Sequence, residues 1–215
     1  MIRRTVSWIL AAAVMAVAGL MALRLCNAGE MYANTMPALH VRAGEALSYC
    51  KAKKLNTEYC ILVDFSIHSG RNRLFVWDFA RDTIAFASLC AHGYGMGSTA
   101  SKPIFSNEPE SHCSSLGHYR TGIRSYSKWG INVHYKLHGL DTTNSNAFKR
   151  DVVLHSYGPV PEVEIYPLHL PMGYSAGCPV VSDNAMRRID SLLKAAKTPM
   201  LLWIYELSVS KYPEH

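Results

Sequence analysis

The stretch that decides the fold runs from Asp151 to Val181, DVVLHSYGPVPEVEIYPLHLPMGYSAGCPVV. Val152, Val153 and Leu154 make a short apolar run that ends at His155, which reads as a central strand. An irregular Pro-rich segment follows. The chain then turns tightly through Ser175-Ala176-Gly177-Cys178-Pro179. A strand end carrying an imidazole and a glycine turn carrying a thiol are what cysteine catalysis needs. The base generates thiolate, and backbone N–H groups hold the oxyanion that forms. Gly177 leaves the backbone free to approach a substrate carbonyl closely. Pro179 has no N–H, so the donors come from Cys178, Gly177 or elsewhere. A buried structural histidine beside an inert cysteine fits the same two positions.

Working outward, Gly130 to Leu140 (GINVHYKLHGL) alternates through Ile131, Val133, Tyr135 and Leu137, the pattern of a half-buried strand. Asn184 to Ala196 predicts a helix striped by Met186, Ile189, Leu192 and Leu193, capped by Ser182, Asp183 or Asn184. Pro199 separates it from a strand at Met200 to Tyr205. Further strands are expected at Tyr59 to Phe65, Arg73 to Phe79 and Thr83 to Cys90. Ala91 to Gly117 is too rich in Gly, Ser and Pro for a regular element, and long ordered loops of this kind often carry function. Ala43 to Leu55 has helix-forming composition, and residues 29–42 read as an exposed lead-in. Many strands and two peripheral helices make one mainly β domain.

The 215 residues are 49% apolar and 18% charged, which excludes a disordered tail, a collagen or a coiled coil. The net charge of +6 includes Arg3, Arg4 and Arg24; without them 19 basic residues face 16 acidic ones. That balance is too mild and scattered for nucleic-acid binding. Met1 to Arg4 is basic, Val6 to Leu23 is apolar, and Cys26-Asn27-Ala28-Gly29 offers small residues for cleavage, the layout of a secretory signal. Val6 to Leu25 is also long enough to stay as a membrane anchor. The expected organisation is a signal or anchor over 1–28, a lead-in and short helix over 29–58, and a catalytic domain over 59–215. The body then works in the periplasm or cell envelope, touching membrane only if the anchor is retained. Cleavage leaves five cysteines, an odd number in an oxidising space. Cys50–Cys60 and Cys90–Cys113 are the pairs expected from local spacing, leaving Cys178 as the reactive thiol. Five buried free thiols are the alternative. No C-x-x-C pair exists and the histidines are dispersed, so neither metal nor cofactor is expected.

Several short segments stand in order along the chain: Asp64-Phe65-Ser66, Ala91-His92-Gly93, Phe105-Ser106-Asn107, Ser114-Ser115-Leu116-Gly117 with Tyr119, and Leu137-His138-Gly139-Leu140. Arg150, Val153-Leu154-His155-Ser156 and Ser175-Ala176-Gly177-Cys178-Pro179 complete the set. In these segments, from Asp64 to the end, the chain resembles the YkuD-type murein L,D-transpeptidase catalytic domain, in the branch with proline after the cysteine. The resemblance implies a β-sandwich with a groove over Cys178 and peptidoglycan stem peptides as partners, cut after the third residue. Cys178 is then the nucleophile, His155 its base, and Ser156 the residue that orients His155, through its backbone carbonyl or as a passive neighbour. Gly177 belongs to the oxyanion turn. His92 either lines the groove or hydrogen-bonds the loop. Ser114, Ser115 and Gly117 shape the groove wall, with Tyr119, Tyr174 and Ser175 as further substrate contacts.

The chain departs from the family pattern in three places. Ala176 stands where many members carry a second histidine. Pro179 replaces an Arg or Asn. Tyr174 replaces an Arg before the serine of the turn, leaving Arg120, Arg124 or Lys128 to meet a substrate carboxylate. Sequence leaves three functions open: transpeptidation, hydrolysis of the same acyl-enzyme by an L,D-carboxypeptidase or endopeptidase, or a wall-binding module whose catalysis has decayed. His134 and the other histidines receive no role.

Overall fold

The computed structural model describes residues 35–207, and Met15 before them. The expected signal or anchor over 1–28 otherwise lies outside the described residues, as does Cys26. Among the described residues no helix is long and apolar enough to cross a membrane. The chain divides into two units, residues 1–42 and 43–215. In the first, residues 35–42 are helical, where the sequence suggests only an exposed lead-in. In the second, residues 43–53 are helical (α1).

Among the described residues of the second unit eight strands follow: β1 (Tyr59–Asp64), β2 (Leu74–Asp78), β3 (Thr83–Ser88), β4 (Gly117–Tyr126), β5 (Val133–Gly139), β6 (Val153–Ser156), β7 (Val180–Val181) and β8 (Leu201–Tyr205). A 3-10 turn (Thr142–Asn144) and helix α2 (Asp183–Ala195) complete the order. The strands form one hydrogen-bonded sheet, β3-β2-β1-β8-β4-β5-β6-β7. The last strand in sequence therefore joins its two halves, parallel to β1 and antiparallel to β4. The chain is mainly β, as the sequence implies.

Residues from both halves meet in one core. Ile61 and Val63 of β1, Leu74 and Val76 of β2, Tyr135 and Leu137 of β5 and Leu202 and Ile204 of β8 share it with Met186 and Ile189 of α2. Their alternation along each strand is what turns one face inward. Ser182 caps α2, its Oγ accepting from Ala185 N at 3.3 Å. Asp190 then ties the helix to the sheet, accepting from Arg124 Nε and Tyr135 OH, each at 2.7 Å. On the other face Tyr49 of α1 stacks on His118, ring centres 4.0 Å apart, and His118 lies 4.2 Å from Trp203.

Three expectations change. The strand bearing His155 is not central, since β6 sits between β5 and the outermost strand β7. β4, the longest strand, has no counterpart in the sequence reading. The proposed disulfides are absent: Cys50, Cys60, Cys90, Cys113 and Cys178 are all free, and the first four are buried. The Cys113 and Cys90 thiols turn instead to local carbonyls, Ser111 O at 3.4 Å and Ala91 O at 3.7 Å. Burial in apolar packing pushes Cys50 up to about 11 and Cys90 up to about 12.

Candidate active site

Strand pairing builds the site. β6 runs parallel to β7 with His155 opposite Val180, two residues beyond Cys178. Across the other edge, antiparallel pairing sets His155 opposite His134 of β5. Pro179 stands immediately before β7, where a missing N–H costs the ladder nothing.

The turn that carries Cys178 is held by short polar contacts. Ser175 Oγ accepts from Gly177 N at 2.9 Å and donates to Cys178 O at 2.6 Å. Gly177 has φ +116°, and a Cβ there would come within 2.6 Å of Cys113 O. Only glycine satisfies both constraints. The Gly177 N–H is thus engaged by Ser175 Oγ. From behind, Ser114 Oγ donates to Gly177 O at 3.1 Å and accepts from Gly93 N at 3.1 Å. The Arg150 guanidinium donates to Cys113 O at 2.6 Å and to Ser106 O at 2.8 Å, pinning the long loop against the turn.

Cys178 Sγ accepts from Val153 N at 3.5 Å and lies 4.0 Å from Asp151 O. Desolvation raises its thiol above the ordinary 9.0, while the Val153 N–H and the charges of Arg150 and Lys136 pull it down less strongly. His155 is buried, with Nδ1 3.0 Å from Ser156 O. A carbonyl can only accept, so Nδ1 carries the proton and Nε2 keeps its lone pair. Burial lowers His155 below 6.5; the Ser156 carbonyl opposes this and His134 adds to it. Both shifts favour a neutral thiol beside a neutral imidazole.

Cys178 and His155 share a cleft of about 630 Å³. Tyr94, Tyr126, Trp129, Tyr157 and Tyr174 give it aromatic walls, and Lys128, His134 and Asp151 give it charge or proton-carrying groups. The Asp151 carboxylate pairs with Lys136. Of the three candidates for a substrate carboxylate, Lys128 lines this cleft. Arg124 is held by Asp190, and Arg120 lines a separate hollow beside the end of α2. Among the described residues no three His, Cys, Asp or Glu gather as a metal site.

Tyr174 and Ser175 line the cleft as well. Ser156 stands behind it, its Oγ accepting from Ile131 N at 3.1 Å while its carbonyl orients His155. His92, Ser114, Ser115, Gly117 and Tyr119 are not in the lining. His92 is buried, its Nδ1 accepting from Arg73 at 2.8 Å and its Nε2 donating to Thr99 O at 2.9 Å. Ser115 and Tyr119 are buried and bonded to each other at 2.7 Å. Gly117 opens β4 with φ +126°, closely packed by Asp141 and Asn144. Of these, Ser114 bonds the turn itself at Gly177 O, and the others are engaged outside the cleft lining. Sequence reasoning misses His134, although the inward alternation of Val133, Tyr135 and Leu137 already turns it to the opposite face.

The L,D-transpeptidase catalytic domain (YkuD_2) matches residues 34–205, about four-fifths of the chain. The chain belongs to this family. Solved structures similar to it include the helical cell shape determining protein Pgp2 of Campylobacter jejuni, at 10% identity and TM-score 0.44, covering 70% of this chain and 48% of that one. Its K307A mutant aligns at 11% identity and TM-score 0.46, over 79% and 56% of the two chains. An L,D-transpeptidase of Xylanimonas cellulosilytica (residues 123–326) aligns at 11% and 0.36, over 68% and 60%. The chain thus spans about half the length of the Campylobacter proteins. A search of curated proteins returns no match.

Proposed function

We propose that this protein is an exported L,D-transpeptidase that forms a thioester with a peptidoglycan stem tetrapeptide and passes it to an amine. The observation that carries this reading is the pairing of β6 with β7. It brings an imidazole of fixed tautomer and a half-buried thiol into one cleft.

The Cys178 sulfur attacks the carbonyl of the third stem residue while His155 Nε2 takes the thiol proton. The Cys178 N–H donates to the oxyanion; losing one such donor typically costs about 3 kcal/mol. His155 returns the proton to the departing amine of the terminal D-residue. Lys128 supplies the cation for that residue's carboxylate. The side-chain amine of a second stem then displaces sulfur and gives a crosslink. Water in its place gives a trimmed tripeptide.

Intact-mass analysis after incubation with soluble stem tetrapeptide tests the proposal. Wild type should gain the acyl mass and release the terminal residue, then yield a crosslinked dimer. Cys178→Ala should do neither. Tripeptide without dimer would assign hydrolysis instead, and a wild type that neither acylates nor turns over would make the domain a wall-binding module.

A further inference from the structure

The ladder that brings His155 to Cys178 is short. β7 is two residues long, lies at the outer edge of the sheet and meets β6 at two positions, His155 opposite Val180 and Ser156 opposite Val181. Cys178 stands outside that pairing, after a turn with φ +116° at Gly177. A misplacement of about 1 Å between reacting groups costs roughly a hundredfold in rate, so the sulfur needs a second tie.

Arg150 makes that tie. It stands three residues before Val153, whose N–H reaches Cys178 Sγ at 3.5 Å, and five before His155. Its backbone N–H donates to Asn146 O at 2.8 Å, while its guanidinium reaches the far side of the turn. Nη2 donates to Cys113 O at 2.6 Å and to Ser111 Oγ at 3.2 Å. Nη1 donates to Ser106 O at 2.8 Å and to Ser115 Oγ at 3.4 Å. Cys113 O is the atom on which Gly177 packs: a Cβ at that glycine would fall 2.6 Å from it and 3.4 Å from Arg150 Nη2. The next residue, Ser114, bonds Gly177 O. The backbone of Cys113 and Ser114 is thus the surface on which the turn rests, and Arg150 links it to the strand that bears His155. We propose that Arg150 is a positioning residue for acyl transfer, fixing the approach of Cys178 to His155 and to the bound carbonyl. This rests on the acyl-enzyme reading above.

The residue type fits the task. The acceptors fall in two pairs, one on each terminal nitrogen, which a planar guanidinium spans and a compact ammonium does not. All four acceptors are neutral, with no carboxylate among them. The charge is therefore left to act on the turn, where it pulls the Cys178 thiol down against desolvation. Position and charge separate by substitution: Arg150→Lys keeps the charge and loses the fork, and Arg150→Met loses both.

The test compares two reactions of the full chain, each expressed per Cys178 thiol that alkylates in the native state, so that misfolded protein drops out. Acylation by soluble stem tetrapeptide is followed by intact mass. Alkylation by iodoacetamide across pH 6 to 10 needs thiolate but neither His155 nor an aligned carbonyl. Both variants should lose about a hundredfold in the maximal acylation rate, with the half-saturating concentration little changed. Arg150→Lys should alkylate with the wild-type pH profile, and the profile of Arg150→Met should move to higher pH. Wild-type acylation per reactive thiol in Arg150→Lys overturns the proposal. So does a loss that merely follows the fraction of reactive thiol, which would assign Arg150 to the fold alone, or a loss confined to half-saturation, which would make it a substrate contact. A wild type that alkylates at Cys178 but never acylates overturns the acyl-enzyme reading itself, whereas failure of the Arg150 proposal leaves wild-type acylation in place.

Discussion

At the scale of single residues, the protonation states of Cys178 and His155 decide how the thiol is used. Burial raises the thiol above 9.0 and lowers the imidazole below 6.5, so the two shifts move apart and favour the neutral pair. A preformed thiolate–imidazolium pair would show the reverse order, with a depressed thiol. Acylation should therefore rise through an acid limb below pH 6.5, as His155 becomes available, and then hold level up to the thiol's own range. Stopped-flow acylation by a carbapenem across pH 5 to 9 measures this, since a β-lactam carbonyl meets the same sulfur. A fall in rate between pH 7 and 9 would mean an ion pair, against the electrostatics of the site. Cys178 and His155 are legible in sequence because each sits within a few residues of its own signature, the glycine turn and the apolar strand end. His134 is not, because its nearness to His155 depends on the β5–β6 register. Nothing local to either segment specifies that register.

At the scale of elements, the loop between β3 and β4 is held by buried polar groups in place of regular ladders. Arg73 of the segment leading into β2 donates to Cys90 O at 2.7 Å and to His92 Nδ1 at 2.8 Å, and His92 passes the connection to Thr99. Burial, with Arg73 beside it, lowers His92 from 6.5 to about 4. The folded form thus resists a proton that the unfolded chain binds. Its contribution is fully present above pH 6.5 and is lost as pH falls toward 4, on the order of 3 kcal/mol over that window. His92→Gln keeps an acceptor for Arg73 and a donor for Thr99 but cannot titrate. Its denaturation midpoint should match wild type at pH 7 and fall less by pH 4.5. Parallel curves for the two proteins would remove His92 from the account. Most elements are readable because their apolar periods are clean; α2 shows its stripe and its Ser182 cap directly. β4 is not readable because only Tyr119, Thr121 and a few neighbours face inward. A register break between Thr121 and Arg124 and the exposed Ile123 and Tyr126 further erase its alternation.

At the scale of the whole molecule, thiol exposure reports both the fold and the fate of the N-terminus. Spacing suggests two disulfides, but spacing carries no information on which layer a cysteine enters. Cys50 enters from α1 and Cys60 from β1, while Cys90 and Cys113 lie toward the two ends of the connection between β3 and β4, and each is fully enclosed. Enclosure removes access, and desolvation removes thiolate, so these four should react with an aromatic disulfide reagent only after unfolding. Cys178 opens onto the cleft and should be the one thiol of residues 35–207 to react in the native state. Denaturation without reductant then counts the chain. Five thiols are expected if residues 1–28 are removed on export, because Cys26 leaves with them, and six if the segment is retained. The count is to be made on protein recovered from the cell envelope, beside a reporter fused after His215 that works only outside the cytoplasm. A denatured count of one would restore the two disulfides and overturn the free-thiol core. Reporter activity confined to the cytoplasm would remove the proposed route to peptidoglycan while leaving the chemistry of Cys178 intact.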